Sequence, residues 1–306
     1  MLKKMFCHNC NREVEIDTFE EKRKYTVKEC EYEILDTITV CKNCKEEIFN
    51  KDKDSKILKE INNMYRKDHN LLLPEEIKRI RETYGLTQRE FSKLLGFGDV
   101  TISRYENGAI QDKANNNLIV LCEKPGNVLQ LTLDADKRLS NDIKQRIVRF
   151  IDSIPDIFDI ADLFISRLIE KHISLTNMKL QKLCYFFWAK AILKNSKFLD
   201  IRFEAWQHGP VNRDLYNKYK HLGSNNIDFK NKQEENEEND IHKFDKIDLE
   251  IFEDVLNKYG KCDANYLREE SHKEPAWKEA NPHGRHSTNV MDYKIVRESR
   301  LKQLNF

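Results

Sequence analysis

"GLTQREFSKLLGFGDVTISRYENG", Gly85 to Gly108, decides how the first half of the chain folds. Thr87 followed three positions later by Glu90 is a capping box, so a helix starts at Thr87 and carries Phe91, Leu94 and Leu95 on one side. "GFGD" then reads as a turn, with Asp99 expected to cap the next helix and Asn107 and Gly108 to end it. Upstream, Pro74 suits a first helical position, and Ile77, Ile80, Arg81 and Tyr84 keep helical spacing until Gly85. Two short helices joined by a glycine-containing turn place the second of them in a DNA major groove. Thr101, Ser103, Arg104 and Asn107 are therefore candidate DNA contacts, with Thr87, Gln88 and Arg89 on the preceding helix. Arg104 can meet guanine through two hydrogen bonds, Gln88 can hold phosphate or a base edge, and Ile102 is expected to point inward. From Leu73 to Lys113 seven basic residues offset seven acidic ones. A homodimer reading two half-sites is thus expected rather than strong monomeric binding, and a small bundle for dimerisation or peptide binding is the plainer alternative.

Before this region stand Cys7 and Cys10, then Cys41 and Cys44, two C-x-x-C pairs thirty residues apart. Two thiolates on a tight turn can share one tetrahedral zinc, and two such turns complete a closed, structural four-sulfur site. Closing that loop costs on the order of 3 kcal/mol of chain entropy, against roughly 10 to 16 kcal/mol returned by structural zinc. Between the pairs, Tyr25 with Val27, and Ile34 with Ile38 and Val40, alternate with a period near two, so short antiparallel strands are expected. Four free thiols, or a redox pair without a surrounding βαβ pattern, fit the spacing less well.

Length and charge bound the rest. A chain of 306 residues is long for one core, so several modules are expected. With 34% charged residues, no apolar run long enough to cross a membrane and no apolar segment behind the basic N-terminus, a soluble cytoplasmic protein is expected, with no membrane partner. The net charge of +1 excludes a global positive field, so any DNA contact is local. The polar "NKDKDSKILKEINNMYRKDHN" reads as a charged linker or helix.

The second half opens with a connector in which Ser140 can cap a helix carrying Ile143, Ile147, Phe150 and Ile151, closed by Pro155. "MKLQKLCYFFWAKAIL", Met178 to Leu193, is apolar on most sides of a helix and therefore central to a fold. "GSNNIDFKNKQEENEEND", Gly223 to Asp240, is polar and reads as a mobile surface loop. Leu249, Phe252, Val255 and Leu256 mark one face of a later helix. Trp277 belongs to that surface or to the core.

"EAWQHGPV", Glu204 to Val211, raises the question of catalysis. His208 has no serine or cysteine nucleophile motif beside it, and the chain contains no H-E-x-x-H, P-loop or G-x-S-x-G. An enzyme is not expected. Glycine and proline after His208 fix a turn that leads into the helix "NRDLYNKYK". Trp206, His208, Arg213 and Tyr216 have the aromatic and arginine chemistry of protein interface anchors. The plainer reading makes Trp206 core and has His208 bond a backbone carbonyl to hold the turn.

Two resemblances give these readings a direction. Gly85 to Gly108, with "CHNC" and "TITVCKNC" before it, resembles the Xre/Cro-like helix-turn-helix and zinc ribbon of MqsA-type antitoxins over about the first 130 residues. That implies a zinc-stabilised, DNA-binding autoregulator with Arg104 as its base-reading arginine. Val100 departs from the pattern, because four residues before Arg104 the family reads bases with asparagine. "DIADLFISRLI", "MKLQKLCYFFWAKAIL", "FEAWQHGPVNRDLYNKYK" and "SHKEPAWKEA", in that order, resemble the Panacea domain of SocA-like antitoxins across about 155 to 285. This implies a mainly helical domain that neutralises a toxin by binding it directly.

The expected architecture is therefore multidomain and mainly α. It comprises a small β zinc ribbon (1–50), a charged linker or helix (51–72), a helix-turn-helix bundle (73–123), a helical connector (124–154), a mainly helical α+β Panacea-like domain (155–285) and a tail (286–306). The expected function is that of a type II antitoxin with Zn2+, a cognate toxin and operator DNA as partners. The alternative is a stand-alone zinc-containing transcriptional regulator with a C-terminal sensor or protein-interaction domain.

Overall fold

The computed structural model describes residues 4–194, 196–227, 241–285 and 287–304. It divides into two compact units, residues 1–82 with 86–120, and 83–85 with 121–306.

In the N-terminal unit, β1 (Lys4–Cys7), β2 (Arg12–Val27) and β3 (Cys30–Cys41) form one antiparallel sheet in that order. The strands are not short: β2 and β3 pair continuously from Ile16 opposite Cys41 to Val27 opposite Cys30. The period-two pattern explains the length. Tyr32, Ile34 and Ile38 alternate along one face of β3 and are buried, and a half-apolar ribbon needs something to cover it. The cover is α1 (Lys51–Asp68), the stretch that composition marks as charged linker or helix. Lys51, Lys56, Lys59, Glu60, Lys67 and Asp68 are exposed, while Ile57, Ile61, Met64 and Tyr65 recur at helical spacing and pack on Tyr32 and Ile34. Arg66 on α1 is fully buried, yet it is held by neutral acceptors, donating to the carbonyls of Gly108 and Ala109 at 2.9 and 3.0 Å. The ribbon and the helical bundle are therefore joined into one unit.

That bundle contains α2 (Pro74–Thr83), α3 (Gln88–Leu94), α4 (Thr101–Glu106) and α5 (Lys113–Leu121). Gly85 follows α2 with φ +59°, the left-handed conformation that ends a helix at least cost to glycine. Thr87 and Glu90 make the capping box reciprocally, at 3.2 and 2.8 Å. Asp99 is not a cap. Val100 occupies the N-cap position of α4 with no side-chain cap, and Asp99 instead accepts from Arg89 at 2.8 Å. Phe91, Leu94 and Ile102 are fully buried, as the spacing requires.

The C-terminal unit begins with α6 (Pro125–Leu133) and α7 (Asn141–Asp152), which pack together. Ser140 stands at the N-cap of α7, but its side chain makes no capping bond. Next come α8 (Ile157–Glu170) and α9 (Asn177–Lys194), the latter buried on every side from Leu180 to Ala189. Around α9 lie β4 (Glu204–Trp206), β5 (Gly209–Val211), α10 (Arg213–Tyr219), α11 (Lys246–Tyr259), α12 (Ala264–His272), α13 (Pro275–Ala280) and α14 (Tyr293–Leu304). The expected tail is thus largely helix α14. Val296 is buried in the core, Tyr293 and Arg297 reach Glu123, and Arg300 pairs with Glu274. The expected surface loop lies mostly at 228–240, outside the described residues, but its first part is pinned: the Ile227 amide donates to the Leu175 carbonyl at 2.8 Å.

Candidate functional site

The four cysteines meet where the two ends of the ribbon fold back. Cys7 ends β1 and Cys10 lies in the β1–β2 turn, and Cys41 ends β3 and Cys44 lies in the turn after it. Their sulfurs all lie within 4.8 Å of one another, with Cys7 to Cys44 at 3.5 Å and Cys10 to Cys41 at 3.8 Å. A tetrahedron with bonds of roughly 2.3 Å has edges of roughly 3.8 Å, so the donor set fits a zinc-sized ion. Backbone amides already point at the sulfurs: Asn43 and Cys44 donate to Cys41 at 3.3 and 3.4 Å, and Cys10 donates to Cys7 at 3.4 Å. The amide of Cys44, supported by that of Asn43, holds the Cys41 thiol well below its ordinary pKa, while hydrogen bonding to Cys44 pushes Cys10 up. Val14 and Ile48 close the apolar side.

On the helix-turn-helix, most of the candidate residues have internal work. Thr87 caps α3, and Gln88 donates to Glu106 at 2.7 Å. Glu106 is itself clamped by the buried Arg81 at 2.6 and 3.0 Å, which fixes the C-terminal end of α4 to α2. Arg89 pairs with Asp99 on the surface, and Asn107 donates to the Ser103 carbonyl at 2.8 Å, with a longer contact to its hydroxyl. Arg104 projects from the exposed side of α4, and its guanidinium has no hydrogen-bond partner among the described residues. Thr101 and Ser103 are half-buried, and Val100 stands exposed at the start of the helix.

In the C-terminal unit, β4 and β5 form a hairpin whose two-residue turn is Gln207 and His208. His208 is exposed there and makes no hydrogen bond to a backbone carbonyl among the described residues. The other three candidate anchors converge. Trp206 and Tyr216 have ring centroids 4.8 Å apart, and the Arg213 guanidinium lies 5.7 Å from the Trp206 ring. The organiser is Glu204, which the sequence offers only as a carboxylate near His208. It accepts from Arg213 at 2.8 and 2.7 Å and from the Trp206 indole at 2.7 Å. Trp206 is half-buried rather than core. Trp277 is the buried partner, donating to the Trp206 carbonyl at 3.1 Å and stacking on His272 at 3.9 Å.

Beneath the hairpin runs a polar strip of α9. Gln181 accepts from the Asn212 amide at 2.8 Å, and Asn212 caps α10. Lys182 is 1% exposed and donates to the Pro210 carbonyl at 2.9 Å. Burial, with nearby Arg268 adding to it, pushes its amine down to about 7. The signal was visible as polar residues interrupting an apolar helix, but helical spacing alone does not say that they face a second element.

The fold and sites together define a two-unit protein: a cysteine ribbon welded to a helix-turn-helix, and a helical unit that presents an aromatic and arginine hairpin. Both halves match known families. Residues 5–130 match the family described as the antitoxin component of bacterial toxin-antitoxin systems, MqsA, and residues 180–278 match the antitoxin SocA-like, Panacea domain. No curated protein matches the chain. Among the described residues, no helix is long and apolar enough to cross a membrane.

Proposed function

We propose that the chain is a type II antitoxin that binds and inhibits a cognate toxin through its C-terminal unit and represses its own operon through its N-terminal unit. The observation that carries this reading is the presence of two separate antitoxin-family matches in one chain, one in each part. The protein works in the cytoplasm by binding, without a reaction of its own. Zn2+ occupies Cys7, Cys10, Cys41 and Cys44 and holds the ribbon closed; because four thiolates fill its coordination shell, it is structural.

Operator DNA meets α4, where Arg104 reads a base and Thr101 and Ser103 flank it. Gln88, Thr87, Arg89 and Asn107 hold the backbone or position their neighbours. The neutral charge of this module supports a homodimer on two half-sites, because each copy neutralises few phosphates. The toxin meets Trp206, Arg213 and Tyr216, with His208 at the rim.

The reading is tested by purifying the chain with the product of the adjacent open reading frame and footprinting it on its own upstream DNA. Copurification together with a protected promoter is expected. Promoter protection without a copurifying neighbour would instead favour a stand-alone regulator.

A further inference from the structure

A cavity of about 280 Å³ opens beside the β4–β5 hairpin, and its lining includes Asn177, Gln181, Lys182, Trp206, His208 and Tyr216. None of its lining residues is acidic. That is unusual for a site containing a lysine this deeply buried, because a buried ammonium is ordinarily paired with a carboxylate. The Lys182 ammonium has three N–H donors, and the one bond found for it among the described residues is to the Pro210 carbonyl. Other bases gather around it. Arg268 and His272 stand on α12, and Lys182, Arg268 and His208 all bear electrostatically on His272. Arg268 Nε and His272 Nε2 are buried without a hydrogen-bond partner among the described residues.

The arrangement is built rather than accidental. At Gly209, with φ +92°, a Cβ would lie 2.5 Å from Ser271 Oγ and 2.9 Å from Lys182 Cε. Only glycine lets the hairpin lie directly on the lysine. Trp206 and Tyr216 form an aromatic edge to the opening, and Met178 and Val211 add apolar lining. A buried amine that a carboxylate would hold in its protonated form, beneath an aromatic rim, matches a side chain that carries one negative charge and is flanked by apolar chain.

We propose that this cavity receives a single aspartate or glutamate side chain of the toxin, whose carboxylate pairs with Lys182. The proposal rests on the reading of the chain as an antitoxin and adds the chemistry of the contact. Arg213 is committed to Glu204, so it orients Trp206 at the rim, while Lys182 supplies the missing charge.

The test is calorimetric titration of the full chain with the purified product of the adjacent open reading frame, using the wild type, Lys182→Met and Arg268→Gln, each checked by thermal melting. Each acidic residue of that product is also changed in turn to its amide. Lys182→Met should keep a cooperative melt and weaken binding by about tenfold or more, as loss of one member of a desolvated charge pair does. One amide substitution in the toxin should weaken wild-type binding by a similar factor and have no effect on Lys182→Met. If Lys182→Met does not fold, the same coupling is sought with the half-buried Arg268→Gln. Unchanged affinity in the folded Lys182→Met, or the absence of any acidic residue coupled to Lys182 or Arg268, would overturn the cavity assignment while leaving the antitoxin reading intact. No binding by the wild type would overturn the antitoxin reading and, with it, the occupant assigned to the cavity.

Discussion

Arg104 shows how one residue separates two roles that share a helix. Its neighbours Ile102 and Tyr105 are buried and hold α4 in place, and Glu106 is fixed by Arg81 and Gln88. Arg104 makes no such contribution to the fold. Arg104→Ala should therefore leave the melting temperature unchanged and lower operator affinity by about five- to 150-fold, the worth of one two-bond base contact at roughly 1 to 3 kcal/mol. Fluorescence anisotropy at fixed salt measures it. Arg81→Ala should do the reverse, unfolding the bundle because the Glu106 carboxylate is left buried without its charged partner.

Lys182 can be read at the same scale through pH. Its folded amine titrates near 7, whereas in the unfolded chain it keeps the ordinary value of 10.5. Between those values the unfolded state holds more proton, so wild-type stability should rise with pH across this window. The melting temperature of Lys182→Met relative to wild type should accordingly be highest near pH 7 and decline toward pH 10. A difference independent of pH would mean that the buried amine is not depressed. Much of this residue-level picture was legible in sequence. The cysteine spacing and the capping box follow from local rules, because ligand geometry and cap chemistry act over three or four positions, and the exposure of Arg104 follows from its place on a helix whose Ile102 and Tyr105 point inward. Glu204, Lys182 and Arg66 were not legible, since each acts on a partner 9 to 43 residues away.

Among the elements, α1 is the one that composition misleads about most. Its polar outer side disguises an apolar stripe, and only the apolar face of β3, which α1 covers, reveals what that stripe is for. Ile61 is 1% exposed in this interface. Ile61→Ala should destabilise the N-terminal unit by about 2 to 4 kcal/mol, the usual penalty of a buried large-to-small change, and leave the C-terminal unit unchanged. Differential scanning calorimetry resolves the two. Asp99 teaches a similar lesson: an acidic residue before a helix reads as a cap, yet an arginine ten positions earlier competes for it. The helix Tyr293–Leu304 was missed because its amphipathic pattern is weak and its ties to Glu123 and Glu274 are long-range.

At the scale of the molecule, the ribbon, α1 and the helix-turn-helix share one unit, whereas the large core around α9 belongs to the other. Metal should therefore control the first and not the second. Chelation, or Cys41→Ser, should abolish promoter binding and expose residues 1–120 to protease while residues 121–306 stay protected. Equal loss of both units would contradict their independence. The division of labour also predicts that inhibition survives without the DNA-binding part. The most direct measurement is growth of cells expressing the adjacent open reading frame alone, with the full chain, and with residues 121–306 only. The account predicts arrest in the first case and rescue in both others. A harmless neighbour, or arrest that the full chain does not relieve, would contradict it.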